Sequence, residues 1–131
     1  MSEPEQQIRV LVVDDHQLVR KSLLAMLARE PDISVVDTAV NGREAIERAQ
    51  ATTPDVIVMD VSMPELDGIR AAGEIKALGI SAKIIILSMH HNSTLLQQAR
   101  KNGVSGYIMK QNASRDLVPA IRAACNGSIS M

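Results

Sequence analysis

Polar residues stand where apolar runs end. Asp14 and Asp15 follow the run Ile8–Val13, Asp60 follows Asp55–Met59, Ser88 follows Lys83–Leu87, and Lys110 follows Gly106–Met109. If each run is a strand of one parallel sheet, three carboxylates, a hydroxyl and an ammonium gather on one rim. That rim, beyond the carboxyl ends of the strands, is where open parallel sheets bind ligands. Three like charges placed together repel, and burial adds to the cost. A divalent cation would relieve it. Oxygen-only ligands select a hard ion, and few protein ligands with room for water suit Mg²⁺. A cation and a lysine around a carboxylate match the needs of phosphoryl transfer, which are positioning and neutralisation of the equatorial oxygens. The carboxylate itself can be the acceptor, giving an aspartyl phosphate.

Each piece alone has an ordinary structural reading. An Asp-Asp pair after a strand is commonly a solvated loop or a helix cap, a serine a turn residue, a lysine a solvated charge. Their joint placement at matching ends of four strands is the signal.

The elements that must position them alternate in type. Strands are expected at Ile8–Val13, Ile33–Val40, Asp55–Met59, Lys83–Leu87 and Gly106–Met109, where β-branched apolar residues cluster. Between them, apolar residues recur at helical spacing. Leu18, Val19, Leu23, Met26 and Leu27 mark the first helix, ahead of Pro31. Gly42–Ala51 is the second, with Ala45, Ile46 and Ala49 inward. Asp67 caps a third that Gly79 closes, Ser93–Asn102 is the fourth with Gly103 after it, and Ser114–Asn126 is the fifth, before Gly127. Continuous apolar strands are buried on both faces, so the pattern predicts a parallel (βα)₅ sheet with helices on each side. Pro119 lacks the N–H that would bond back to Arg115, which predicts a late start or a distorted first turn for the fifth helix.

Composition narrows the class. A chain of 131 residues suits one domain, and 46% apolar residues suffice for a core. A net charge of −1 leaves no electrostatic footprint for nucleic acid or an anionic membrane. With a single cysteine, Cys125, no internal disulfide can form, so a reducing, cytoplasmic setting is expected. Met1–Gln7 carries no signal-peptide pattern, and the run Ile84–Leu87 is far too short to span a bilayer. Tyr107 is the sole aromatic residue, so the core must be aliphatic.

The stretches Val10-Leu11-Val12-Val13-Asp14-Asp15-His16, Pro54 through Asp60 to Gly68, Ile84-Ile85-Ile86-Leu87-Ser88 and Gly106-Tyr107-Ile108-Met109-Lys110 together resemble the response-regulator receiver family of two-component signalling. The resemblance implies a flavodoxin-like, doubly wound sheet of strand order 2-1-3-4-5. It implies that Asp60 accepts phosphate from a phosphohistidine on a sensor histidine kinase. Asp15 and Asp60 would bind Mg²⁺ directly, joined by the main-chain carbonyl of Ser62, with Asp14 acting largely through water. Lys110 would pair with the phosphoryl group, Ser88 would hydrogen-bond it, and Tyr107 would change rotamer as Ser88 moves. Met63 and Pro64 would shape the loop beside the acceptor. The family more often has threonine at the position of Ser88.

The segments Leu87-Ser88-Met89-His90 and Ala120-Ile121-Arg122-Ala123-Ala124 resemble the NarL/FixJ subfamily, whose members usually carry a C-terminal helix-turn-helix DNA-binding domain. The expected organisation is a flexible segment at 1–7, a receiver domain at 8–127, and at 128–131 the start of a linker to that domain, the alternative being a single-domain regulator. On this reading the chain is a switch that catalyses only its own phosphorylation and dephosphorylation. It would touch DNA only through the output domain and would homodimerise on phosphorylation, with transcription as the regulated output.

Other residues have plainer expectations. His16 opens the first helix, although it could reach the water shell of a metal. His90 and His91 belong to the loop after the fourth strand and lack metal-site spacing. His90 lies near the path of a hydrolytic water. Cys125 is expected to pack, and Arg100 and Lys101 complement the C-terminus of the fourth helix. Two other classes fit less well. A haloacid-dehalogenase-type phosphohydrolase needs a second aspartate where Ser62 stands and a nucleophile after the first strand. A degenerate receiver would have lost the acid pair, the acceptor or the lysine, all of which are present.

Overall fold

The computed structural model describes residues 7–61, 67–89 and 92–127. Five strands alternate with five helices: β1 (Ile8–Val13), α1 (Gln17–Ala28), β2 (Ile33–Ala39), α2 (Gly42–Thr52), β3 (Val56–Asp60), α3 (Gly68–Ala77), β4 (Lys83–Ser88), α4 (Ser93–Lys101), β5 (Gly106–Met109) and α5 (Ala113–Cys125). The strands pair in parallel in the order β2-β1-β3-β4-β5. This is the flavodoxin-like order. The chain winds outward in both directions from β1, so the crevice between the carboxyl ends of β1 and β3 is the expected ligand position.

The continuous apolar strands are explained by burial on both faces. Leu11, Val13, Ile57, Met59, Ile84 and Ile86 pack on one side with Ala45, Ala49, Ile69, Ala71, Ala72, Ile75 and Ala99 of α2, α3 and α4. Val10, Val12, Val56, Val58, Ile85 and Leu87 pack on the other with Leu23 and Leu27 of α1 and Leu117 and Ile121 of α5. Side chains alternate along each strand, which divides the two sets.

Helix boundaries follow local chemistry. Asn41 accepts a hydrogen bond from the Glu44 amide at 2.8 Å, Asp67 from the Arg70 amide at 3.0 Å, and Asn92 from the Thr94 amide at 2.8 Å, each supplying an acceptor to an otherwise unbonded first turn. Gly79 and Gly103 end α3 and α4 at φ of +80° and +79°, a left-handed turn that costs a side chain dearly. Strands β3 and β4 each run one residue beyond the expected end, because Asp60 pairs with Leu87 and Ser88 with Met109. Both polar residues are therefore held inside the sheet.

One of the two expectations for Pro119, the late start, is corrected. α5 does not start late: a short 3₁₀ turn over Lys110–Asn112 leads into Ala113, and Pro119 lies within the helix with its ring exposed. Leu117, Ala120, Ile121 and Ala124 form a buried stripe. Burying the leucine and isoleucine contributes about 1.5–3 kcal/mol each, which offsets the roughly 3 kcal/mol that an internal proline costs. Cys125 is also corrected. It is exposed, because it stands off that stripe in the last turn. Partial burial and the nearby Asp55 push its thiol pKa up, so it is predominantly protonated at neutral pH.

Arg122 ties α5 to the turn before β2. Its guanidinium donates to both carboxylate oxygens of Asp32 at 2.9 Å and to Glu30 at 2.7 Å. The hydrogen bond from Arg122 holds Asp32 below its ordinary pKa. A depressed carboxylate stabilises the fold above its unfolded-state pKa, and this contribution is lost as pH falls through the folded-state value. Arg122→Ala is therefore expected to be slightly less stable than the parent at pH 7. Urea titrations should show the gap narrowing below about pH 4. The pair is exposed, so added salt should narrow it too.

Candidate functional site

The rim beyond β1, β3, β4 and β5 brings the sequence-selected residues together. Asp14 is fully buried, Asp60 is 1% exposed and Ser88 is fully buried. Backbone pairing holds the first of these, since the Asp14 amide donates to the carbonyl of Ala39 at 3.1 Å. Lys110 starts at the end of β5, crosses over β4, and places Nζ 3.2 Å from Asp60 Oδ2 and 3.5 Å from Asp14 Oδ2. Only 14% of its side chain is exposed, so the charge is directed inward.

Asp15 and His16 complete the acidic side. Asp14 Oδ1 accepts the His16 amide at 2.9 Å, and His16 Nδ1 lies 3.2 Å from Asp15 Oδ1 and 3.4 Å from Asp14 Oδ1. Asp14, Asp15, His16 and Asp60 each offer one ligand atom, and all of these lie within 4.8 Å of one another. Asp14 Oδ2 is buried and receives no hydrogen bond among the described residues. A buried acceptor of that kind is costly unless something positive sits against it, and Lys110 at 3.5 Å is a distant partner. The residues therefore fit a divalent cation.

Ser88 and Tyr107 share a side of the sheet. Ile86 pairs with Tyr107, and Ser88 points to the same face as Ile86, two residues earlier. Tyr107 packs half-buried against the core under α2, α3 and α4. His16 serves as the N-cap residue of α1, as expected, but its side chain makes no capping hydrogen bond and turns to the acid pair instead. Ser62, Met63, Pro64, His90 and His91 lie outside the described residues.

Two contributors carry no chemistry, and their packing roles escaped the sequence reading. Arg20 Nη1 donates to the main-chain carbonyl of Asp14 at 2.8 Å, bracing the turn that carries the acid pair. Gly68, at the start of α3, donates its amide to Val61 O at 3.1 Å, and a Cβ there would lie 2.3 Å from the main-chain oxygen of Asp60. That obstacle is backbone and cannot swing away. Gly68→Ala must therefore displace either α3 or Asp60. It is expected to lower stability by about 1–3 kcal/mol and to slow phosphoryl uptake well beyond what the fraction folded explains. Measuring both on one preparation checks this.

Residues 10–122 match the response regulator receiver domain. The chain belongs to that family. This receiver domain is 32% identical over 123 residues to the transcriptional regulatory protein DegU of Brevibacillus brevis, covering 94% of this chain and 52% of DegU. It is 31% identical over 120 residues to the nitrate/nitrite response regulator protein NarL of Escherichia coli K12, covering 92% and 56%. A LuxR-family two-component response regulator from Aurantimonas superposes with a TM-score of 0.91 at 36% identity, over 96% of this chain and 90% of that one. These relatives support the NarL/FixJ subfamily. The chain spans about half the length of the curated relatives it matches. Among the described residues, no helix of this receiver domain is long and apolar enough to cross a membrane.

Proposed function

We propose that this receiver domain takes a phosphoryl group onto the carboxylate of Asp60 from a phosphohistidine of a sensor histidine kinase. The observation that carries the reading is the buried Asp60 at the β1/β3 crevice, with Lys110 Nζ 3.2 Å away and the acid pair beside it. An Asp60 oxygen forms the bond to phosphorus as the phosphorus–nitrogen bond of the donor breaks, and the imidazole leaves. Asp15 and Asp60, with Asp14 beside them, are the residues that would hold a divalent cation. Mg²⁺ would suit these oxygen donors and would supply neutralisation of charge on the phosphoryl oxygens. Lys110 holds a second positive charge against them, and the Ser88 hydroxyl donates to one. Hydrolysis of the aspartyl phosphate returns the switch to its starting state.

The readout runs through Ser88 and Tyr107, which face the α4 side of the sheet. A new hydrogen bond and a new charge pair bias two pre-existing states. A coupling of roughly 1–3 kcal/mol suffices, and the surface of α4, β5 and α5 then favours a symmetric dimer. Residues 8–127 form the receiver unit, and 128–131 begin a linker. The linker leads to a helix-turn-helix domain that contacts DNA and regulates transcription in the cytoplasm.

Incubation with acetyl phosphate and Mg²⁺ tests the central step. It should yield acid-stable, base-labile protein phosphate, and EDTA should prevent it; incorporation unaffected by EDTA would refute the metal assignment. Beryllofluoride with Mg²⁺ should also change the fluorescence or ring NMR signals of Tyr107, the sole aromatic residue. Light scattering over a concentration series, with and without beryllofluoride, should show a rise in mass. A constant monomer mass would point to release of an intramolecular contact instead.

A further inference from the structure

His16 lies against the acid pair without structural need. Its side chain is 64% exposed and gives α1 no capping hydrogen bond, yet Nδ1 sits 3.2 Å from Asp15 Oδ1 and 3.4 Å from Asp14 Oδ1. A bare imidazole nitrogen facing two carboxylate oxygens is repulsive. Either a proton on Nδ1 or a cation shared by Nδ1 and Asp15 Oδ1 makes the arrangement favourable, Asp14 Oδ1 being already engaged by the His16 amide. The 3.2 Å separation fits a protonated Nδ1 and equally fits two ligands of one ion. Ligands bonded at about 2.1 Å lie about 3.0 Å apart at a right angle and about 3.4 Å apart at the tetrahedral angle. Buried Asp14 Oδ2, which receives no hydrogen bond among the described residues, marks the same centre as short of positive charge.

We propose that His16 Nδ1 is a metal ligand, making this centre a mixed nitrogen–oxygen site at which first-row ions of the Co²⁺ and Zn²⁺ kind compete with Mg²⁺. The inference rests on reading the acidic cluster as a metal centre. Mg²⁺ takes oxygen ligands and keeps its waters, so it gains little from an imidazole. Zn²⁺ and its neighbours gain a good ligand. His16 is thus a specificity-determining residue. Because any such site favours Co²⁺ and Zn²⁺ over Mg²⁺ to some degree, the informative quantity is how the preference changes when His16 is altered.

The experiment is calorimetric titration of the full chain and of His16→Ala and Asp15→Asn with Mg²⁺, Co²⁺ and Zn²⁺ separately. The visible absorption of bound Co²⁺ is recorded alongside. His16→Ala should weaken Co²⁺ and Zn²⁺ roughly tenfold or more, weaken Mg²⁺ far less, and shift the Co²⁺ bands as water replaces nitrogen. Asp15→Asn should weaken all three. In the parent protein, Zn²⁺ should move the ring NMR signals that His16→Ala deletes, a readout that survives even if a variant folds poorly. Equal effects of His16→Ala on all three ions, no effect on any, or Co²⁺ binding that persists in Asp15→Asn would each overturn the proposal. If Mg²⁺ binds and His16→Ala leaves Co²⁺ untouched, His16 alone is misassigned. If no ion binds the parent protein, the metal centre fails with it.

Discussion

Asp60→Asn is expected to abolish phosphoryl incorporation from acetyl phosphate and, in EDTA, to make the protein more stable. Asparagine has nearly the shape of aspartate but no nucleophilic carboxylate, so the acceptor is lost without a cavity. The stability gain follows from the charge arrangement. Asp14, Asp15 and Asp60 bring three carboxylates within reach of one another, and among the described residues Lys110 is the only lysine or arginine whose ion pair reaches into this group. Removing one buried carboxylate relieves repulsion and desolvation, while Lys110 keeps Asp14 as a partner at 3.5 Å. A gain of about 0.5–2 kcal/mol is in the range for relaxing a functional site. Mass spectrometry and urea titration read the two effects. Phosphorylated product from the variant would overturn the assignment of Asp60, and a loss of stability would overturn the electrostatic account.

Lys110→Ala should act in the opposite direction on stability, and Mg²⁺ should restore much of it. The variant leaves Asp14 and Asp60 buried and facing each other with no ammonium between them. Breaking a buried ion pair from one side costs about 3–5 kcal/mol. The lysine is partly reached by solvent, so a loss near the bottom of that range is expected in EDTA. A cation bound only by the folded state stabilises in proportion to the logarithm of its saturation. Saturating Mg²⁺ should therefore raise the urea midpoint of the variant more than that of the parent. Phosphoryl uptake should remain slow even in Mg²⁺, because an ion does not replace the ammonium that faces the transferred group. Equal stabilisation of both proteins by Mg²⁺ would show that lysine and ion do not serve the same carboxylates.

The sequence by itself determined the order and type of the five strands and five helices. Runs such as Ile84-Ile85-Ile86-Leu87 leave no solvent face, which demands helices on both sides. Asp67, Gly79 and Gly103 mark helix ends by local hydrogen-bonding and backbone preference, which need no tertiary partner. It also selected Asp14, Asp15, Asp60, Ser88 and Lys110, since a polar residue ending a fully buried strand is conspicuous. Only the tertiary structure decided how these groups face one another. The reach of Lys110 over β4 to two other strands depends on pairing register and sheet twist, which periodicity does not encode. So does the meeting of Gly68 with the Asp60 carbonyl, which joins two segments through a volume rather than a pattern. The contact of Arg20 with the Asp14 carbonyl targets main chain, which looks the same in every sequence. The late start of the fifth helix and the packing of Cys125 were misjudged from local rules because the outcome lay with the buried stripe of α5. There, burial of Leu117 and Ile121 offsets the proline, and helical rotation leaves the cysteine in solvent. His16 shows the same division: its place at the start of α1 is local, but the direction of its ring toward two carboxylates is a product of the folded rim alone.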